Sequence, residues 1–250
     1  MFPVLFRIGS FEIRSYGVMI SIGILAGLYL ASKETRRRGL NPPLMWEFAP
    51  LAVISGLLGA RLLYVFTHMH YFSGSPLQML NFRAGGLSFY GGFGAGIIAA
   101  VFFTKRRGVS FMKFADCGAP GVIMALSIGR LGCLLNGCCY GKPSDAPWAI
   151  VFTNPASSAL LNLPLHPAQA YEAAGNLLIF ACLWAVRKRN MPEGTLFFLM
   201  ILLYSALRFM LEHFRADTLM LAGMDFAWTR VFFIVIMLVS LFFILIKRSK

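Results

Sequence analysis

The sequence predicts an all-α integral membrane protein of about seven transmembrane helices, with the N-terminus outside, the C-terminus cytoplasmic and a small extracytoplasmic cap. Three observations predict it. Hydrophobic residues fill 58% of the chain and charged residues only 13%, too little polar surface to cover a soluble domain. The apolar residues collect into runs of about 20 positions, the length that a bilayer requires. The basic residues fall in short clusters between those runs, as membrane-flanking charges do.

The elements follow in order. The opening stretch, MFPVLFRIGSFEIRSYG, lacks the charged start, apolar core and small-residue cleavage site of a signal peptide. The first run, 16–33, is therefore expected to remain as an anchor. Further runs cover 47–68, 86–104, 111–134, 166–187, 194–213 and 226–247. The third and fourth are the least apolar and are rich in glycine. Small residues such as those of GGLSFYGGFGAG allow helices to approach closely within a membrane. The period-two alternation that marks a membrane β-barrel is absent.

Loop charge sets the expected direction. One side carries Lys33, Arg36, Arg37, Arg38, Lys105, Arg106, Arg107, Lys113, Arg187, Lys188, Arg189, Lys247, Arg248 and Lys250. The other carries Arg7, Arg14, Arg83, Lys142, Arg215 and Arg230. Fourteen against six places the first set, and with it the C-terminus, in the cytoplasm. The outward loops are then 69–85, 135–165 and 214–225. The loop 135–165, with prolines at 143, 147, 155 and 164, is long enough to fold over a site as a cap. No repeat or domain boundary is visible, so residues 1–250 are expected to form a single polytopic membrane domain. The net charge of +13 is distributed between spans rather than along one polar face, and no nucleic-acid partner is expected.

Charges inside the apolar runs carry the functional signal. Arg61, Arg130 and Arg208 lie within or at the ends of spans, and Glu212 follows Arg208 by one helical turn. Ionisable groups at that depth are functional candidates by default. Arg130 has no acidic neighbour in sequence. Surplus guanidinium in a membrane calls for an anion, and arginine grips phosphate with two parallel hydrogen bonds. Arg130, Arg208, Glu212 and Tyr90 fall toward the outward ends of their spans, which predicts a site open to the outer leaflet and able to hold a phospholipid headgroup.

The segment GRLGCLLNGCCYG, residues 129–141, adds three clustered thiols. Cys133, Cys138 and Cys139 lack the paired C-x-x-C spacing of a zinc site, and His166 is the nearest outward histidine. Neither a metal nor a cofactor is predicted. The three cysteines are expected to be small, semi-polar residues at a helix end, and Cys117 and Cys182 to be packing.

Several ordered segments resemble one family, the prolipoprotein diacylglyceryl transferases. GRLGCLLNGCCYG resembles its arginine-asparagine-glycine signature, with Arg130, Asn136 and Gly141 in place. YGVMISIGILAGLYLA resembles its first span at Tyr16 and Gly17, GARLLYVF its second around Arg61, and GGLSFYGG its G-G-x-x-F-H-G-G element. HPAQAYEA resembles an H-P-x-Q-x-Y-E segment. LRFMLEHFRAD resembles an F-R-x-x-x-E-x-x-R-x-P-D segment at Arg208, Glu212, Arg215 and Asp217. The departures are Cys133 and Cys138, which replace an asparagine and a glutamate, Tyr90, which replaces a histidine, and Ala216, which replaces a proline.

The resemblance implies transfer of the diacylglyceryl group of phosphatidylglycerol to the lipobox cysteine thiol of a prolipoprotein signal peptide. A thioether forms and glycerol phosphate leaves. It implies the bacterial cytoplasmic (inner) membrane, with membrane lipids as surroundings. It puts Tyr90, Arg208 and Glu212 in the catalytic set and Arg130, Tyr16, Asn136, Gly141 and Arg61 in substrate binding. Tyr90 replaces the family's proposed histidine base, and a phenol with a pKa of ~10 suits positioning better than proton transfer. Two other classes stay open on the residues: a transport-type or non-catalytic lipid-binding membrane protein, and a thiol redox membrane protein.

Overall fold

The computed structural model describes residues 1–9, 11–72, 75–81, 85–216 and 227–248. Arg83, Asp217, Lys250 and most of the expected outward loop 214–225 lie outside the described residues. Among the described residues there are seven α-helices: α1 (Ser15–Arg37), α2 (Leu44–Thr67), α3 (Phe89–Arg106), α4 (Phe111–Asn136), α5 (Ala168–Val186), α6 (Thr195–Leu211) and α7 (Ala227–Arg248). Every helix end falls within about one turn of its expected place.

α1, α2 and α4 are each long and apolar enough to cross a bilayer, with mean hydropathies of 1.6, 1.7 and 1.5. Thr195–Leu211 and Arg230–Ile246 are shorter apolar helices. Large apolar side chains face outward, among them Leu62, Phe66, Ile98, Leu178 and Leu238, while Glu172, Asn176, Arg208 and Glu212 are buried. Water would not tolerate that distribution, and lipid favours it. The protein is therefore an α-helical membrane protein.

Two features depart from an all-helical expectation. Ahead of α1 stands an antiparallel hairpin, β1 (Val4–Ile8) with β2 (Phe11–Arg14), turning at Gly9, whose φ is 60°. Ser15 ties it down by donating its backbone N–H to Pro3 O at 3.0 Å. Between α4 and α5 lies a second antiparallel pair, β3 (Ile150–Val151) with β4 (Pro164–Leu165). Strands of so few residues leave little period-two signal in a sequence.

The chain divides into two compact units. The first comprises residues 1–31 and 115–250. Its core joins Ala119 and Ile123 of α4, Ile179 and Leu183 of α5, and Leu196 and Met200 of α6. α1 meets α4 through small residues: a Cβ added at Gly27 would stand 2.8 Å from Gly121 O. Asp116 of α4 accepts the backbone N–H groups of Gly194 at 2.8 Å and Phe197 at 2.9 Å. Its carboxylate thereby caps the N-terminus of α6, where orphan donors and the helix dipole both favour an anion.

The second unit comprises residues 32–114. α2 and α3 pack through Gly59 and Gly91, where any added Cβ would collide with the facing backbone. The close approach expected of GGLSFYGGFGAG is therefore present. Phe48, Phe103 and Phe114 interlock at the opposite end, with centroids 5.3 to 6.0 Å apart.

Candidate active site

Three segments of the first unit converge on one carboxylate. α4 brings Arg130 into its closing turns. α5 buries Gln169, Glu172 and Asn176, whose spacings of three and four place them on one face. α6 delivers Arg208, and the turns after it carry Glu212 and Arg215. Glu172 is the hub. Its Oε1 lies 3.0 Å from Arg130 Nη2, and its Oε2 accepts from Arg208 Nη1 at 3.1 Å and Arg215 Nη1 at 3.2 Å. Tyr204 donates its hydroxyl to Oε1 at 3.4 Å.

Arg130 is thus paired, contrary to its sequence-based expectation as a guanidinium without an acid. Its partner is 42 positions away on another helix (172 − 130), which local spacing does not disclose. The expected Arg208–Glu212 pair is present but loose. The gap is 3.7 Å, and Glu212 Oε2 has no hydrogen-bond partner. Within this network three guanidiniums face two carboxylates. Each guanidinium has five N–H donors, and the closest approach of Glu172 to Arg130 and to Arg208 is through one nitrogen of each. Donors on both remain for a second anion.

The other expected residues of this unit surround the network. Tyr16, at the start of α1, packs against α4 at Gly132, where an added Cβ would lie 3.5 Å from Tyr16 Cα. Asn136 ends α4; its carbonyl accepts from Ser158 N at 3.2 Å, and its Oδ1 is buried without a partner. Gly141 is a crossing point of the backbone. An added Cβ there would stand 2.6 Å from His166 Cβ and 2.7 Å from Phe214 O. Gly141 bridges Arg215, and Lys142 N donates to Phe214 O at 2.9 Å. The glycine therefore seats the segment that carries Arg215.

Sequence reasoning passed over Glu172, Arg215, Gln169 and Tyr204 as site residues. Glu172 and Gln169 stand within HPAQAYEA, and Arg208, Glu212 and Arg215 are spaced by four and three. Those signals were present, but only packing reveals that Glu172 unites them.

The cysteines also behave differently from their linear spacing. The Sγ atoms of Cys133, Cys138 and Cys139 all lie within 4.8 Å of one another. Just past α4, Gly137 (φ 79°) and Cys139 (φ 59°) take left-handed conformations, and the N–H groups of Gly137 and Cys138 both donate to Cys133 O. The turn folds the last two thiols back onto the first. Hydrogen bonds from the other two thiols, with Arg130 and Arg215 nearby, hold the Cys139 thiol below its ordinary pKa. His166 turns elsewhere, with Nδ1 3.2 Å from the Tyr171 hydroxyl.

Arg61 and Tyr90 belong to the second unit. Arg61 donates Nε to Met79 O at 2.8 Å, Nη1 to Gly85 O at 2.6 Å and Gly86 O at 3.1 Å, and Nη2 to Gln78 O at 2.7 Å. Its donors clamp the chain between α2 and α3. Arg61→Ala should lower the stability of the solubilised protein by about 3 kcal/mol or more, because four carbonyls lose their donor. A thermal melt checks this. An unchanged melting midpoint with lost lipid binding would instead favour the substrate-binding role. Tyr90 is half-buried in the first turn of α3, beside Gly91.

Lipid-facing helices around a buried cluster of arginines define a membrane protein built to handle an anionic group in the bilayer. The profile of the family described as prolipoprotein diacylglyceryl transferase matches residues 3–246. The chain is 36% identical over 218 residues to a phosphatidylglycerol–prolipoprotein diacylglyceryl transferase of Clostridium tetani, covering 87% of this chain and 86% of that one. It is 34% identical to proteins of the same name from Bacillus mycoides (97% and 91% covered) and Bacillus cereus (98% and 92%). The chain belongs to the prolipoprotein diacylglyceryl transferase family.

Proposed function

We propose that this protein transfers the diacylglyceryl group of phosphatidylglycerol to the lipobox cysteine of prolipoproteins. The observation that carries the reading is the gathering of Arg130, Arg208 and Arg215 around Glu172, with guanidinium donors on Arg130 and Arg208 left for a phosphate. In the reaction the thiol sulfur forms a bond to the terminal glycerol carbon of the diacylglyceryl group. The bond from that carbon to the phosphate oxygen breaks, and its electron pair leaves with glycerol phosphate. A phosphodiester with one negative charge becomes a monoester with capacity for two, and the proton released by the thiol balances the second. Charge therefore grows on the phosphate as the bond breaks, which is what fixed guanidiniums stabilise. Positive charge beside the thiol also favours its thiolate.

Asn136 and Gln169 each leave a buried amide oxygen without a hydrogen-bond partner. Both suit the hydroxyls of the glycerol headgroup. Tyr16 positions the headgroup, Glu212 steadies Arg208, and Tyr90, of the second unit, is kept in the catalytic set that the family resemblance implies. The chain crosses the bacterial cytoplasmic membrane seven times as one polytopic domain, with its N-terminus outside and segment 135–165 as an outer cap. The basic clusters support that direction.

Complementation of a strain depleted of its own transferase tests the whole. Growth with lipidated lipoproteins is expected. Normal membrane levels of this protein without lipidation would refute it. Tyr90 has its own test. Tyr90→Phe should lower turnover about tenfold, the worth of one hydrogen bond of ~1.4 kcal/mol, while Tyr90→His keeps or raises it. Parent rates in both would make Tyr90 interfacial packing.

A further inference from the structure

We propose that Cys133, Cys138 and Cys139 form a three-thiolate metal site, suited to zinc, with a fourth coordination position open to an external ligand. The cluster is assembled by the fold. Its three Sγ atoms lie within 4.8 Å of one another, and a tetrahedral zinc with Zn–S bonds of about 2.3 Å needs sulfurs about 3.8 Å apart. The widest separation must therefore shorten by no more than about 1 Å. Cys133 is anchored in the last turn of α4, and the carbonyl of the same residue holds the turn that brings Cys138 and Cys139 back.

The residues around the cluster also suit an ion. Among the described residues no fourth histidine, cysteine, aspartate or glutamate joins the three thiols, so a zinc here keeps one position for water or another ligand. Gln169 donates Nε2 to the Cys138 carbonyl at 2.8 Å, and its own Oε1 is buried with no partner. Asn136, two residues before Cys138, likewise leaves Oδ1 buried and unpartnered. A water in the fourth position would donate to such oxygens. Three thiolates with one divalent ion carry a net single negative charge, and Arg130 and Arg215 stand close enough to offset it. All five cysteines of the chain are free thiols, and a disulfide between adjacent Cys138 and Cys139 is geometrically disfavoured. A thiophilic ion satisfies all three at once. This site borders the proposed transfer site and shares Asn136, Gln169 and Arg130 with it, but its occupancy is measurable whether or not the protein turns over.

Protein purified under reducing, chelator-free conditions and exposed to zinc should carry one zinc per chain by elemental analysis. Cobalt(II) in place of zinc should give intense thiolate-to-metal charge-transfer absorption. Cys139→Ser and Cys133→Ser should each lose the bound metal while keeping the parent melting profile in its absence. Cys182→Ser should keep one zinc per chain. Zinc far below one per chain in the parent after exposure, or cobalt bound without charge-transfer absorption, would overturn the site. So would an intact mass two hydrogens short, with a disulfide mapped among the three cysteines.

Discussion

Glu172→Gln should nearly abolish transferase activity and weaken the fold at the same time. Glu172 is 1% exposed and touches Arg130, Arg208 and Arg215 through its two oxygens. Removing the charge leaves three guanidiniums facing one loosely placed carboxylate, Glu212. Breaking a buried ion pair by removing one partner costs about 3–5 kcal/mol. The arginines then repel and splay, and a phosphate meets donors in the wrong places. Turnover should fall by about 100-fold or more, the scale of losing a preorganised anion donor. A lipidation assay on reconstituted protein measures the first effect and a thermal melt the second. Activity within a few-fold of the parent would show that Glu172 merely neutralises its neighbours.

Arg130→Ala should leave the protein in the membrane and remove its chemistry. Glu172 keeps Arg208 and Arg215 as partners, so the loss of stability should be smaller than for Glu172→Gln. Arg130 is expected to hold the phosphate on which charge develops, and its deletion should lower kcat/KM by about 100- to 1,000-fold. Arg130→Lys should restore part of the loss, since an ammonium supplies charge without the planar fork. A variant that folds, accumulates and turns over phosphatidylglycerol at the parent rate would make Arg130 a structural counter-ion of Glu172.

The helices were legible because each is a local property. A run of about 20 apolar residues must satisfy its own backbone hydrogen bonds in lipid, and a helix does so within itself. Gly91, within GGLSFYGGFGAG, announced close packing for the same kind of reason: without a Cβ, two backbones can meet. The β1–β2 hairpin was not legible, because a five-residue and a four-residue strand give little period-two signal beside a long apolar run.

By itself the sequence determined the class of protein and the seven helices, and it pointed to arginines within the apolar runs. Tertiary structure alone decided which acid meets which arginine. Helical spacing pointed Arg208 to Glu212, one turn away, yet they stand 3.7 Å apart, while Glu172, 36 residues distant, is hydrogen-bonded at 3.1 Å. The sequence marks Arg61 as a buried arginine, and only the fold shows its donors on four backbone carbonyls. Cys133, Cys138 and Cys139 lack paired metal-site spacing in the sequence, and a left-handed turn draws their sulfurs together. Burial in lipid depends on a segment's own composition and can be read from it. The partner of a buried charge depends on which face of another helix is turned toward it, and that is set only when the helices pack.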